Sequence, residues 1–169
     1  MSISMYEITI PVLKLGLTNL AAILDKATAH AELKKFDVAA LVQARLFPDM
    51  YPLIKQVQIC CDTAKGAAAR LAGIEIPKHP DTESTIPELK LRIGKTLDFV
   101  TSVKPEQLMN SESREIVMQF PSITMKFTGI NYVTNFVTPN FYFHSSMAYA
   151  LLRKNGVEVS KADFLGAIL

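Results

Sequence analysis

Apolar residues recur every three or four positions in four long segments of this sequence, spanning about 11–33, 49–73, 85–103 and 138–155. Such spacing places the apolar side chains on one face of an α-helix. The stripes of the first three segments are Leu13, Leu17, Leu20, Leu24, Ala27 and Ala31; then Leu53, Val57, Cys60, Ala64, Ala68 and Leu71; then Leu89, Ile93, Thr96, Val100 and Val103. Long helices with short connections bury such faces best in an antiparallel bundle. The sequence therefore predicts an all-α, antiparallel four-helix bundle.

Several helix ends carry capping signals. Asp49 is suited to be the N-cap of the second helix, and Pro52 would then take the third helical position, where its missing N–H costs no helical bond. Gly73 is placed to end that helix in a left-handed conformation. The run 85–88 (Thr-Ile-Pro-Glu) has the form of a capping box that opens the third helix. Thr138-Pro139 predicts the N-cap and first residue of the fourth helix.

The periodicity changes from helical to alternating between the third and fourth helices. The segments 115–120 and 123–127 flank Pro121-Ser122, a pattern that predicts a short β-hairpin. Two strands alone are marginally stable, so this hairpin must lie against the bundle. With 169 residues, 49% of them apolar, the chain can bury one sizeable core, and we expect residues 1–169 to form a single domain.

Charge and cysteine content restrict the functional classes. Eighteen basic and sixteen acidic residues leave a formal net charge of +2, which does not favour a nucleic-acid-binding surface. The apolar stretch 8–24 contains Lys14 and is preceded by Glu7 rather than by positive charge, so we interpret it as a buried helix and expect no membrane association. Cys60 and Cys61 are adjacent and cannot form a disulfide framework. We therefore expect a cytoplasmic protein.

His144 is the histidine whose position most favours a functional role. At 100° per residue along the fourth helix, Asn140, His144, Met147 and Leu151 fall on one side, which we expect to face the bundle interior. A buried imidazole must be hydrogen-bonded or ligated, so His144 is either a core histidine or a residue at a cavity in the bundle. By contrast, His30 lies near a helix end and His79 lies in a loop that we expect to be solvent-exposed.

The same phase argument selects partners for His144 on the second helix. Gln56 and Cys60 phase inward, whereas Asp62 phases toward solvent. Asp49 also phases inward beside its predicted capping role, and Tyr51 is compatible with either side. The candidate ligand-binding residues are His144, Asn140, Gln56, Cys60, Asp49 and Tyr51. No His-x-x-x-His, Glu-x-x-His or Cys-x-x-Cys motif is present, so we assign no metal ligands, and the cofactor, including a divalent metal, stays open.

The chain resembles an uncharacterised bacterial family within the DinB/YfiT-like four-helix-bundle superfamily. The residues that carry the resemblance are 46–53, 61–66, 70–73, 139–149, 152–157 and 161–165. The run Pro-Asn-Phe-Tyr-Phe-His at 139–144 is the most specific piece. The resemblance spans nearly the whole chain and implies a DinB-like bundle with a hairpin between helices three and four.

The superfamily also implies a chemistry, in which three histidines hold a divalent metal and some members are transferases that use small thiols. One of those histidines comes from the second helix and two from a His-x-x-x-His pair in the last long helix. Here His144 alone matches, because residue 140 is Asn, residue 148 is Ala and the second helix contains no histidine. The resemblance therefore assigns His144 a place in a pocket.

Two functional hypotheses follow. The first is a small-molecule-binding bundle protein without the three-histidine metal site, with its ligand in the bundle cavity near His144; we expect it to form a homodimer, the commonest soluble oligomer. The second is a diverged metal- or thiol-dependent transferase or hydrolase in which His144 is a ligand or a base. The sequence leaves open whether the protein is an enzyme.

Overall fold

The computed structural model describes residues 3–166 of the chain. Its helices are α1 (Met5–Lys34), α2 (Ala39–Val42), α3 (Leu53–Ala72), α4 (Ile86–Ser102), α5 (Gly129–Tyr132), α6 (Thr138–Lys154) and α7 (Lys161–Leu165). Two strands, β1 (Glu115–Gln119) and β2 (Thr124–Thr128), form an antiparallel hairpin. Short 3₁₀ turns cover Pro105–Leu108 and Ser111–Ser113, and a π turn over Val133–Val137 joins α5 to α6.

The four long helices α1, α3, α4 and α6 form the bundle. Helix α3 packs most extensively against α6, and α1 packs most extensively against α4. Helices α3 and α6 are antiparallel, since Gln56 contacts His144 whereas Thr63, further along α3, contacts the earlier Asn140. The predicted four-helix bundle with a hairpin between its third and fourth helices is confirmed, and every stripe residue named above is buried.

Helix α1 begins earlier than the sequence predicts. Ser4 accepts a hydrogen bond from the backbone N–H of Glu7, and Glu7 accepts one from the N–H of Ser4, so a capping box starts the helix at Met5. Pro11 therefore lies within the helix rather than at its start. By length and composition α1 could cross a membrane, but ten of its residues are buried against the rest of the domain, as is typical of the core helix of a soluble protein.

Helix α3 starts later than predicted. Its N-cap is Pro52, with φ −69° and ψ 166°, and the first helical residue is Leu53. The prediction of Asp49 as N-cap is wrong because a residue before proline, here Tyr51, is disfavoured in the α conformation, so the helix cannot extend back through it. The predicted end is confirmed: Gly73 adopts φ 70°, and its N–H bonds back to the last turn.

The fourth long helix also begins upstream of its predicted start. Thr128 caps α5 by accepting a hydrogen bond from the N–H of Asn131, and the helix then continues through the π turn into α6. Pro139 does not open the helix. It cannot donate to the carbonyl four residues back, and its ring crowds that carbonyl, so the wider π turn just before it accommodates the proline within a continuous helix.

The hairpin contributes one face to the core. Strand β1 alternates between exposed and buried positions, with Ile116 and Met118 inward, and Met125 and Phe127 of β2 pack beside them. The register pairs Ile116 with Phe127 and Met118 with Met125. The expectation that the hairpin lies against the bundle is confirmed.

Candidate functional site

A hydrogen-bond chain connects the start of α3 to the middle of α6. The Nε2 amide of Gln56 donates to the backbone carbonyl of Tyr51 at 3.1 Å, and its Oε1 lies 2.7 Å from Nδ1 of His144. Because Oε1 can only accept, Nδ1 of His144 must carry the proton in this contact. Both side chains are buried, with 2% and 8% exposure. The predicted inward orientation of Gln56 and His144 therefore brings them into direct contact.

The other ring nitrogen of His144 is left available. Among residues 3–166, the fully buried side-chain nitrogens and oxygens without a hydrogen-bond partner are Thr9 Oγ1, His79 Nδ1 and Arg92 Nε. Nε2 of His144 is not one of them, and it makes no hydrogen bond with the described residues. In the neutral ring, with the proton on Nδ1, Nε2 carries a lone pair. Nε2 can therefore accept a hydrogen bond or act as a base, and the contact of Nδ1 with Gln56 fixes the orientation of the ring.

Burial lowers the pKa of His144 below its ordinary value. The unfolded chain, whose histidines titrate near about 6.5, then binds more protons than the folded chain as pH falls below that value. We therefore expect the free energy of unfolding to decrease as pH falls from about 6.5 toward the lower folded pKa. Urea denaturation at pH 7.5 and 5.5 should show a smaller decrease for His144→Gln than for the unmodified protein. An equal decrease in both proteins would contradict this assignment.

Of the remaining candidate residues, Asn140, Cys60 and Tyr51 lie near this contact, whereas Asp49 does not. Cys60, one turn beyond Gln56 on α3, has its Sγ atom 3.7 Å from the carbonyl oxygen of Phe141, and Thr63, two turns beyond Gln56, accepts a hydrogen bond at its Oγ1 atom from Asn140 of α6 at 2.8 Å. Tyr51 takes part in the hydrogen-bond chain through its backbone carbonyl, while the residue as a whole is 55% exposed. The Asp49 carboxylate is exposed in the loop before α3, and no contact among residues 3–166 connects it to the other candidates.

The two cysteines are buried and chemically quiet. Burial raises the pKa of Cys60 well above its ordinary value and that of Cys61 to about 12. A thiol reacts as its thiolate, so both side chains are inert at neutral pH in the folded protein. Cys60 therefore contributes packing and a weak hydrogen bond rather than a nucleophile.

The residues at this site do not fit the superfamily's divalent metal. His144 supplies one imidazole nitrogen, the amides of Gln56 and Asn140 are engaged in hydrogen bonds, and the next turn of α6 presents the methyl group of Ala148. Within residues 3–166, no three His, Cys, Asp or Glu side chains lie close enough together to hold a metal ion. A site with three protein ligands cannot be assembled from this donor set.

Sequence reasoning missed a buried arginine at the α3–α4 contact. Arg92, whose side chain is 1% exposed, bonds Asp62 at 2.7 Å, Asp81 at 2.9 Å and Glu83 at 3.1 Å. Asp62 is 43% exposed, in agreement with its predicted outward phase, but its carboxylate also pairs with the buried Arg92 and with Lys65 at 2.8 Å, which the sequence did not indicate. An arginine one helical turn from stripe residues is a sequence signal that could have indicated this cluster.

The expectation that His79 is solvent-exposed is also wrong. It is half-buried beside the Arg92 cluster, and its Nδ1 atom is fully buried without a hydrogen-bond partner in the part of the chain that the structure describes. The loop 73–84 carries Asp81 and Glu83 to Arg92, and these ion pairs hold the loop against α4. Sequence composition indicated a loop here but not what anchors it.

Comparison with known proteins places the chain in a family. The family described as a domain of unknown function (DUF1993) matches residues 5–165. The chain belongs to the DUF1993 family. This DUF1993 protein is also similar to a DinB family member from Shewanella denitrificans, whose crystal structure was determined at 1.83 Å resolution.

The similarity to that structure extends over almost all of both chains. The two share 43% sequence identity with a TM-score of 0.90, and the alignment covers 96% of the DUF1993 chain and 92% of the Shewanella chain. No curated protein sequence matches the DUF1993 chain significantly. The resemblance to an uncharacterised DinB-like family is therefore confirmed, and it identifies the fold rather than an activity.

Proposed function

We propose that this DUF1993 protein binds a small molecule beside His144, with Nε2 of the imidazole accepting a hydrogen bond from the ligand. One observation carries the proposal: the hydrogen bonds from the Tyr51 carbonyl through Gln56 fix the proton on Nδ1, and within residues 3–166 the lone pair of Nε2 has no hydrogen-bond donor. Ligating and basic histidines are commonly oriented by an oxygen acceptor on the other ring nitrogen, and the Gln56 amide oxygen is such an acceptor here. The ligand must therefore offer an O–H, N–H or S–H group.

The surroundings of His144 favour a ligand with an apolar part. The ring of Phe143 packs edge-on against the His144 ring, with centroids 5.1 Å apart, and its side chain is 53% exposed. Tyr51, which contributes its carbonyl to the same chain, is exposed to a similar degree. His144 lines none of five cavities formed by residues 3–166, so we propose a site beside the exposed Phe143 ring rather than in the interior cavity that the sequence suggested.

Thermal-shift screening against a metabolite panel that includes small thiols tests this proposal. We expect at least one compound with a donor group to raise the melting temperature, and to bind at least tenfold more weakly to His144→Phe. Replacing His144 by Phe keeps a ring in place but removes both nitrogens. The fold of the variant is checked by circular dichroism before binding is measured.

His30→Phe is the matched control. His30 packs against Phe36 near the end of α1, with ring centroids 5.7 Å apart, away from the Gln56–His144 contact. Binding should be unchanged in this variant. A panel without any ligand, or ligands that bind equally well to His144→Phe, would overturn the proposed site.

A second candidate is a diverged thiol-dependent transferase or hydrolase in which His144 is a general base. The same free lone pair on Nε2 favours it, since a base must be deprotonated at the working pH, and burial lowers the pKa of His144. Incubation of each bound compound with the protein, followed by mass spectrometry, separates the two candidates. Conversion that is lost in His144→Phe supports the enzyme, whereas unaltered ligands support a binding protein.

A further inference from the structure

A small cavity lies between α4 and the loop 73–84, on the far side of Arg92 from the bundle core. Its volume is about 210 Å³, and one wall is a single face of α4 that carries Glu88, Leu91, Arg92 and Lys95. The opposite wall is the loop segment 78–83. This volume is below the roughly 300–1,000 Å³ typical of sites for drug-sized ligands, so only a compact molecule fits.

Arg92 connects the two walls of the cavity, since it lies on α4 and bonds to the loop 73–84. Its guanidinium donates to the Pro80 carbonyl at 3.2 Å and pairs with Asp81 and Glu83, so three residues of the loop are bound to α4. Lys78 lies two residues before the first anchor, and Lys95 lies three residues beyond Arg92 on the helix. The spacing between the two lysines is therefore set by the fold, and a preorganised site loses less entropy on binding.

The carboxylates that line this cavity accept hydrogen bonds from neighbouring residues, whereas two lysines that line it form no ion pair with the described residues. Glu83 accepts hydrogen bonds from Gln58 and Arg92, and Glu88 accepts from Ser84 and Thr85 at the start of α4. Lys78 and Lys95 form no ion pair with any residue of the described part of the chain. Glu88 also forms no ion pair with the described residues, so two positive charges and one negative charge at the cavity lack an opposite partner, and their sum is positive.

Buried nitrogen atoms at the same place lack partners. Of the three fully buried side-chain polar atoms without a hydrogen bond in residues 3–166, two are His79 Nδ1 and Arg92 Nε, and both residues line this cavity. Such atoms are rare in folded proteins and occur where a water, an ion or a function completes the site. Both nitrogens are closed to water, so they lie behind the cavity wall, and the groups that can contact a ligand directly are the exposed side chains of Lys78 and Lys95.

The charges around His79 also favour an anion at this cavity. Its pKa is lowered first by burial and then by the positive charges of Lys65, Arg92 and Lys95, with Asp62 acting in the opposite direction. The imidazole therefore lies in a net positive potential. A bound anion would offset that potential and raise the pKa of His79.

We propose that this cavity is a binding site for a compact oxyanion, a phosphate or a small carboxylate, held between Lys78 and Lys95 beside His79. The assignment is separate from the site at His144, since it uses a different face of the molecule and different residues. Leu91 and Pro80 add an apolar edge that suits a short carbon skeleton attached to the anion.

Titration with inorganic phosphate, followed by NMR of the His79 ring, tests the proposal. We expect a saturable shift of the His79 signals and a higher pKa for this ring in the presence of phosphate. Lys78→Ala/Lys95→Ala should weaken phosphate binding at least tenfold. A parallel titration with acetate identifies the class, since tighter binding of phosphate supports a phosphoryl group and tighter binding of acetate supports a carboxylate.

Lys14→Ala/Lys161→Ala is the control of equal charge. Both lysines are exposed and, within residues 3–166, form no ion pair, and they lie on α1 and α7 rather than at this cavity. This double variant should bind phosphate as the unmodified protein does. The proposal is overturned if neither anion shifts the His79 signals saturably, or if the two double variants lose affinity to the same extent.

Discussion

Replacing Gly129 by Ala is expected to lower the free energy of unfolding by about 3 kcal/mol or more, because the added Cβ atom would collide with a neighbouring backbone segment and force the two segments apart. A Cβ atom at position 129 would lie 1.8 Å from the carbonyl oxygen of Ser111 and 2.9 Å from its carbon. Both residues are buried, and the clash is with backbone, which no side-chain rotation relieves. Urea denaturation followed by circular dichroism measures the loss.

Gly94→Ala is the matched control, and we expect it to raise the free energy of unfolding rather than lower it. Gly94 lies inside α4, and a Cβ atom there would meet nothing within 4 Å. Alanine reduces the conformational freedom of the unfolded chain, so Gly94→Ala should raise the free energy of unfolding by about 0.5–1 kcal/mol. A Gly129→Ala protein that is as stable as Gly94→Ala would show that the close contact between positions 111 and 129 is absent.

Replacing Arg92 by Ala is expected to cost about 3 kcal/mol of stability, since removing one partner of a buried ion pair leaves the others uncompensated. The expected loss lies at the low end of the usual range because Asp62 and Asp81 are 43% and 37% exposed and can regain water. Glu83, at 11% exposure, cannot. Hydrogen exchange should also become faster in the loop 73–84, which loses its anchors to α4.

Lys90→Ala controls for the loss of a positive charge from α4. Lys90 pairs with Asp25 at the surface, where both side chains are more than a third exposed. Exposed ion pairs contribute about 0–1 kcal/mol, so this variant should be nearly as stable as the unmodified protein. If Arg92→Ala lost no more stability than Lys90→Ala, the Arg92 cluster would be a surface feature rather than an anchor.

The bundle could be predicted from the sequence because apolar periodicity reports burial directly. Each residue of the stripe on α4, from Leu89 to Val103, is buried as predicted. Helix starts were less predictable, since Pro52 and Pro139 are each compatible with a helix beginning before them, at them or after them. Only the packed structure decides between these possibilities.

The inward orientation of the candidate site residues followed from helical phase, but their partners did not. Gln56 and His144 lie 88 positions apart, and their contact depends on how far α3 and α6 slide along each other. The ion pairs of Arg92 depend in the same way on two other elements, α3 and the loop 73–84. A sequence pattern carries no information about such relative shifts until the helices are docked.

The π turn before Pro139 also determines which angular sectors of the last helix face the core. In a regular α-helix Tyr132 would lie about 100° before Val133, outside the sector in which Val133, Phe141 and Leu151 are buried. The wider turn has a smaller rotation per residue, so it brings Tyr132 back toward that sector, where the phenol accepts a hydrogen bond from Arg70 at 3.0 Å. The segments before and after the π turn therefore present different angular sectors of one continuous helix to the core. Tyr132, before the turn, contacts Arg70 near the end of α3, and His144, after the turn, contacts Gln56 near the start of α3.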